Sequence, residues 1–113
     1  SRSVVGKETV DMLRGYHFDR AFLGANGIND RLCPLSADEY EDGIKQLCIL
    51  QSRKTYLLIG KEKFHRTAYY SVPEELAGEV TVITDYPEYP SDAWIQEGGV
   101  YAARISDLRK IND

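Results

Sequence analysis

The stretch DRAFLGANGIND, residues 19–30, decides the fold, because a short apolar run there empties into a loop of small residues. Ala21, Phe22 and Leu23 make the run, and Gly24, Ala25, Asn26 and Gly27 make the loop. Glycine reaches backbone conformations closed to other residues and carries no Cβ to hold a ligand away. Open α/β sheets bind ligands beyond the carboxyl ends of their strands, so a strand ending in such a loop predicts the floor of a binding site.

Working outward, the upstream residues Ser3, Val4 and Val5 predict a short strand turned at Gly6. Val10, Leu13 and Tyr16 then recur at helical spacing and predict a helix, closed by Gly15, that covers one face of a sheet. Downstream, the polar residues 29–34 end in Pro34 and predict a connecting loop. Ser36 and Glu39 have capping-box spacing, which predicts Ser36 as the N-cap of a helix through residues 39–52. Tyr40, Ile44, Leu47, Cys48 and Leu50 form its apolar stripe, despite Gly43, and its length marks a crossover helix.

Residues 55–59 are a nearly continuous apolar run, which predicts a strand buried on both faces and ended by Gly60. KEKFHR, residues 61–66, then delivers basic groups and Phe64 to the same end of the sheet as the glycine loop. A short turn or helix entered through Pro73 precedes EVTVITD, a buried strand ending at Asp85. A short amphipathic helix is expected around residues 91–97, and GVYAARI, residues 99–105, is the last strand. The alternation predicts an α/β fold, a mostly parallel sheet flanked by helices with right-handed crossovers.

With 113 residues the chain has room for a single domain, 1–113. Hydrophobic residues make up 42% and charged residues 28%, an ordinary globular balance, and no apolar run approaches the ~20 residues that span a bilayer. No charged n-region leads into an apolar segment, so neither secretion nor membrane attachment is expected, and the location expected is cytoplasmic. A formal charge of −4 argues against this segment gripping nucleic acid itself, because such affinity comes from clustered Lys and Arg. Cys33 and Cys48 stand fifteen positions apart with no CxxC pair. They are expected to be free thiols in a reducing compartment, with Cys48 in the core, and no metal or cofactor is implied.

The order and spacing of Asp19, Phe22, Gly24, Gly27 and Ile28, then Glu41 and Lys45, Lys63 and Phe64, and finally Ile83 to Asp85 resemble the sensor domain of the DeoR family of bacterial transcriptional repressors. The similarity runs from about Ser3 to Asp85, and the tail from Tyr86 onward matches only loosely. The resemblance implies a sheet like that of ribose-5-phosphate isomerase and glucosamine-6-phosphate deaminase, incomplete here at its N-terminus. It implies a domain that binds a phosphorylated sugar and thereby changes the DNA affinity of a winged helix-turn-helix, which is not in this chain. It also implies a homo-oligomer. The family's early Asp-x-Gly-Thr-Thr loop is absent. Gly60 stands where family members usually carry aspartate, and His65 where glycine is common.

The candidate ligand-binding residues are Gly24, Asn26, Gly27, Lys63, Lys45 and Glu41. Residues 24–27 offer backbone N–H groups and the Asn26 amide to hydroxyls or a phosphate, or else simply form a tight turn. Lys63 is a point cation over the same crevice or a surface lysine. Glu41 and Lys45 form an i,i+4 pair, a solvated helix pair by default and pocket residues by resemblance. His17 and His65 lie in no recognisable catalytic order, and Asp85 is expected to cap the turn before Pro87. Tyr86, Tyr89 and Trp94 suit either core packing or a subunit contact.

The rival is a sugar-phosphate isomerase of the same fold. Such an enzyme needs a carboxylate to move a proton, and the corresponding loop of the similar isomerases reads Asp-Gly-Ala-Asp. Leu23, Gly24, Ala25 and Asn26 keep the glycine and lack both acids, which predicts binding without catalysis. A phosphoacceptor receiver domain would want an acidic cluster at early strand ends, where Leu23 and Gly60 stand.

Overall fold

The computed structural model describes residues 7–68 and 70–110. One side of its main sheet is a parallel pair, β1 (Phe18–Leu23) beside β4 (Ser52–Ile59), with Ala21 opposite Thr55 and Leu23 opposite Leu57. Parallel neighbours need a long crossover, and α2 (Glu39–Gln51) supplies it. Asp38 starts α2 by accepting hydrogen bonds from the backbone N–H groups of Tyr40 at 2.7 Å and Glu41 at 3.3 Å. The expected N-cap, Ser36, is instead the last residue of β3 (Pro34–Ser36), a buried position that keeps its hydroxyl away from the helix start.

β6 (Val80–Thr84) adds a second parallel pairing to β4, reached through α3 (Glu74–Ala77). β8 (Val100–Arg104) pairs antiparallel with β6, and β7 (Ile95–Glu97) pairs antiparallel with β8. The order is β1-β4-β6-β8-β7, a mixed sheet in which β1, β4 and β6 run parallel to one another. The expected helix at residues 91–97 is thus a correction: Ile95, Gln96 and Glu97 alternate as one arm of a hairpin whose turn holds Gly98 at φ 64. Short strands β2 (Gly27–Ile28) and β5 (Tyr70–Ser71) flank β3 in a second, three-stranded sheet. α1 (Lys7–Leu13) packs on α2, and the expected strand at residues 3–5 lies outside the described residues.

The core forms on one face. Leu57, Ile59, Val80, Val82 and Ala103 are buried there together with Ile49 of α2, Ala77 of α3, and Ile105 and Leu108 of α4 (Ile105–Arg109). Burying one such aliphatic side chain stabilises by roughly 1.5–3 kcal/mol. The strand β4 was expected to be buried on both faces, but the alternate positions are open: Leu58 is 53% exposed and Phe22 on β1 is 63% exposed. Phe22 stacks on Tyr56 with ring centroids 5.1 Å apart, and Ile95 and Val100 continue the exposed apolar face. Among the described residues the helices that contribute to the core lie on one side of the sheet.

Arg109 locks α4 in place from a buried position. Its Nε donates to the Arg31 carbonyl at 2.8 Å, its Nη1 to the Glu74 carbonyl at 2.6 Å, and its Nη2 lies 3.5 Å from Cys33 Sγ. Cys33 is the buried thiol, whereas Cys48, expected in the core, is only half-buried because it lies toward the flank of α2.

Candidate functional site

The parallel register aligns the carboxyl ends of β1, β4 and β6, since Leu23 lies opposite Leu57 and Ile59 opposite Thr84. Residues 24–27, the 3-10 turn Lys61–Lys63 and residues 85–94 therefore leave one end of the sheet, where an open α/β sheet receives ligands. A shallow depression of about 280 Å³ at this end is lined by Leu58, Ile59, Gly60, Ile83, Thr84, Asp85 and Val100. None of the six candidate residues lines it.

The loop glycines play different parts. A Cβ on Gly27 would come 2.7 Å from Arg66 Cβ, so close packing against the segment after Lys63 requires glycine there. A Cβ on Gly24 would meet nothing within 4 Å, so nothing in the described residues crowds it. Neither glycine adopts the left-handed backbone. Asn26 fastens the loop to β3: its N–H donates to the Leu35 carbonyl at 2.9 Å, and its Oδ1 accepts from the Ala37 N–H at 3.3 Å. Its Nδ2 has no hydrogen-bond partner among the described residues.

Lys45 is buried and its Nζ donates to Ser36 Oγ at 2.7 Å. Burial lowers its pKa, with Glu41 and Asp42 pulling in the opposite sense. Ser36 precedes Ala37, so Asn26 and Lys45 take hold of adjacent residues, and the structure brings these two candidates together. Glu41 is exposed on α2, and no ion pair within 4 Å joins it to Lys45 among the described residues. The buried Asp42 accepts from Gln46 Nε2 at 2.8 Å through Oδ2, while its Oδ1 has no partner.

Lys63 is half-buried at the end of the 3-10 turn, and its Nζ has no partner among the described residues. The buried Phe64 pairs with Ile28, and the Arg66 N–H donates to the Ile28 carbonyl at 3.2 Å, which ties the Lys63 segment to Gly27. Asp85 is exposed, and the turn after β6 is held by Thr84, whose Oγ1 accepts from the Tyr86 N–H at 3.1 Å. Tyr89 and Trp94 are partly buried against the core, with Trp94 Nε1 donating to the Tyr89 carbonyl at 2.6 Å. Tyr86 is exposed beneath Lys61, whose Nζ lies 4.6 Å from its ring centre.

Sequence reasoning left His65 isolated, and the structure places it between two carboxylates, Asp30 at 2.7 Å and Glu88 at 3.0 Å. The signal was there: where DeoR-like sequences commonly carry glycine, His65 adopts φ 59, the left-handed backbone that glycine fits best.

The family model described as the DeoR C terminal sensor domain matches residues 1–86. A curated relative from Bacillus subtilis (strain 168), described as the uncharacterized HTH-type transcriptional regulator FruR, is 28% identical over 82 residues. The match covers 73% of this chain and 32% of the relative, so the chain spans about a third of that protein's length. No solved structure matches the chain. No helix among the described residues is long and apolar enough to cross a membrane. With its strand-end loops in this order and the family model covering most of its length, the chain belongs to the DeoR C-terminal sensor-domain family.

Proposed function

We propose that this chain is the effector-sensing part of a cytoplasmic, DNA-binding repressor of carbohydrate metabolism, and that its effector is a phosphorylated sugar. What supports this reading is the strand register, which sends the loops carrying Gly24, Asn26 and Lys63 to one sheet end, where Lys63 Nζ and Asn26 Nδ2 have no partners among the described residues. An ammonium suits a phosphate, and an amide N–H suits a sugar hydroxyl. Leu23 and Asn26 offer no carboxylate for proton transfer, which favours binding over isomerisation.

In this reading residues 1–113 form the C-terminal part of the sensor domain, and a winged helix-turn-helix elsewhere in the polypeptide meets the DNA. A sugar phosphate stabilises one arrangement of a homo-oligomer and so shifts the spacing of its DNA-binding heads.

The test uses the intact protein and an operator selected from random-sequence DNA, with release followed by fluorescence anisotropy across a panel of sugar phosphates. One of them is expected to release the operator, and Lys63→Ala is expected to raise the concentration required roughly tenfold or more, as loss of a charge-assisted hydrogen bond implies. Operator binding unchanged across the panel would overturn the sensing role. Conversion of a sugar phosphate by the intact protein would restore the isomerase.

A further inference from the structure

His65 stands where three segments from the carboxyl end of the sheet converge. Its Nδ1 lies 2.7 Å from Asp30 Oδ1 on the turn after β2, and its Nε2 lies 3.0 Å from Glu88 Oε2 in the loop after β6. A carboxylate only accepts, and a neutral imidazole carries a single N–H. Both contacts are therefore hydrogen bonds only while the ring is protonated. The same segments are joined alongside: Tyr89 Oη donates to the Asp30 carbonyl at 2.8 Å, and its ring lies 5.9 Å from the imidazole, centre to centre. Histidine pays for its φ of 59 in local backbone energy, so tertiary contacts and not local preference hold it in place.

We propose that His65 is a proton-operated latch: charged, it fastens residues 85–94 to the turn at residues 29–33, and neutral, it lets go of one of its two carboxylates and loosens that loop. The groups facing it fit this role. Asp30 on the turn and Glu88 on the loop are the carboxylates, and Tyr89, pushed up by burial, stays uncharged where histidine titrates. Arg66, next in the chain, is engaged elsewhere, its Nε donating to the Glu62 carbonyl at 2.9 Å. Arg31, beside Asp30, has its Nε 3.3 Å from Glu74 Oε1.

The sign follows from these partners. The hydrogen bond to Asp30, then that to Glu88, raises the His65 pKa above its ordinary 6.5. A group raised on folding contributes stability that is complete below the ordinary value and lost as pH rises through the raised one. The latch is thus closed in mildly acidic solution and open in alkaline solution. It borders the sheet end assigned to the effector, yet it needs no ligand to operate, so it stands or falls apart from the sensing role.

Hydrogen–deuterium exchange on the intact protein at pH 6 and pH 8.5, corrected for intrinsic exchange rates, tests the latch. Amides of residues 85–94 are expected to lose protection roughly threefold at the higher pH, the scale of one exposed charged contact, while β6 amides hold theirs. In His65→Asn, which accepts the left-handed backbone but does not titrate, the ratio is expected to be flat. Glu88→Gln, which leaves the histidine backbone alone, is expected to flatten it as well. Equal protection at both pH values in the unaltered protein would overturn the latch, and so would a pH dependence that survives in both variants.

Discussion

Leu57→Ala is expected to destabilise the protein by about 3–4 kcal/mol, measured as a lowered urea midpoint at unchanged slope. Leu57 is fully buried, at 0% exposure, in the middle of β4, with Leu23 beside it on β1 and Val82 on β6. Three strands, each with helices packed over them, confine the space that the lost methyl groups would leave, so it cannot readily collapse. The cost therefore adds a cavity to the lost transfer energy. Its chain neighbour Leu58 faces the opposite way and is more than half exposed, so the two positions separate the two faces of the sheet. A loss below about 1 kcal/mol for Leu57→Ala would contradict the placement of the core, since that falls under the range for buried leucines.

Arg109→Met is expected to cost about 2–4 kcal/mol in the same measurement. Methionine fills much of the volume and leaves the Arg31 and Glu74 carbonyls without the donors that Nε and Nη1 supply. A charged donor contributes roughly 1.5–3 kcal/mol per hydrogen bond, and removal of the buried cation's desolvation cost offsets part of the sum. Arg109→Lys is expected to recover little, because an ammonium is a point donor and the three acceptors are spread around a planar fork. A methionine variant within about 0.5 kcal/mol of the parent would show that α4 is held by Ile105 and Leu108 alone, as hydrophobic packing without the polar clamp would predict.

Elements with a strong period or an unbroken apolar run were legible. β4 was legible because Leu57 and Ile59 belong to a nearly continuous apolar run, β6 because Val80, Val82 and Ile83 crowd a short β-branched segment, and α2 because its stripe repeats at helical spacing. The apolar runs did not say that Leu58 would be exposed, because burial on the second face depends on what lies against it. β2, β3 and β5 are two or three residues long, too short to carry a period. β7 was misread as helical although Gly98 and Gly99 after Glu97 carry the signature of a hairpin turn.

Of the candidate site, the convergence of the glycine loop, Lys63 and Asp85 on one sheet end followed from strand order alone. The burial of Lys45 did not. Its spacing from Glu41 is that of a surface pair, and only the fold turns it inward onto Ser36, which for the same reason fails to cap α2. His65 was hidden because both of its partners are distant in sequence, at Asp30 and Glu88.

The buried Cys33 makes the molecule its own clock. Burial raises its thiol above the ordinary range, with the Arg109 charge opposing, so the reactive thiolate is scarce while the site stays closed. Arg109 on α4 is its immediate polar neighbour, at 3.5 Å. At Cys33 a thiol reagent in excess therefore waits for α4 to lift, and the labelling rate of this thiol, followed apart from the half-buried Cys48, becomes the rate of that opening, independent of reagent concentration once chemistry outpaces closure. A rate that instead grew without limit with reagent would mean that the sulfur is reached without any such opening.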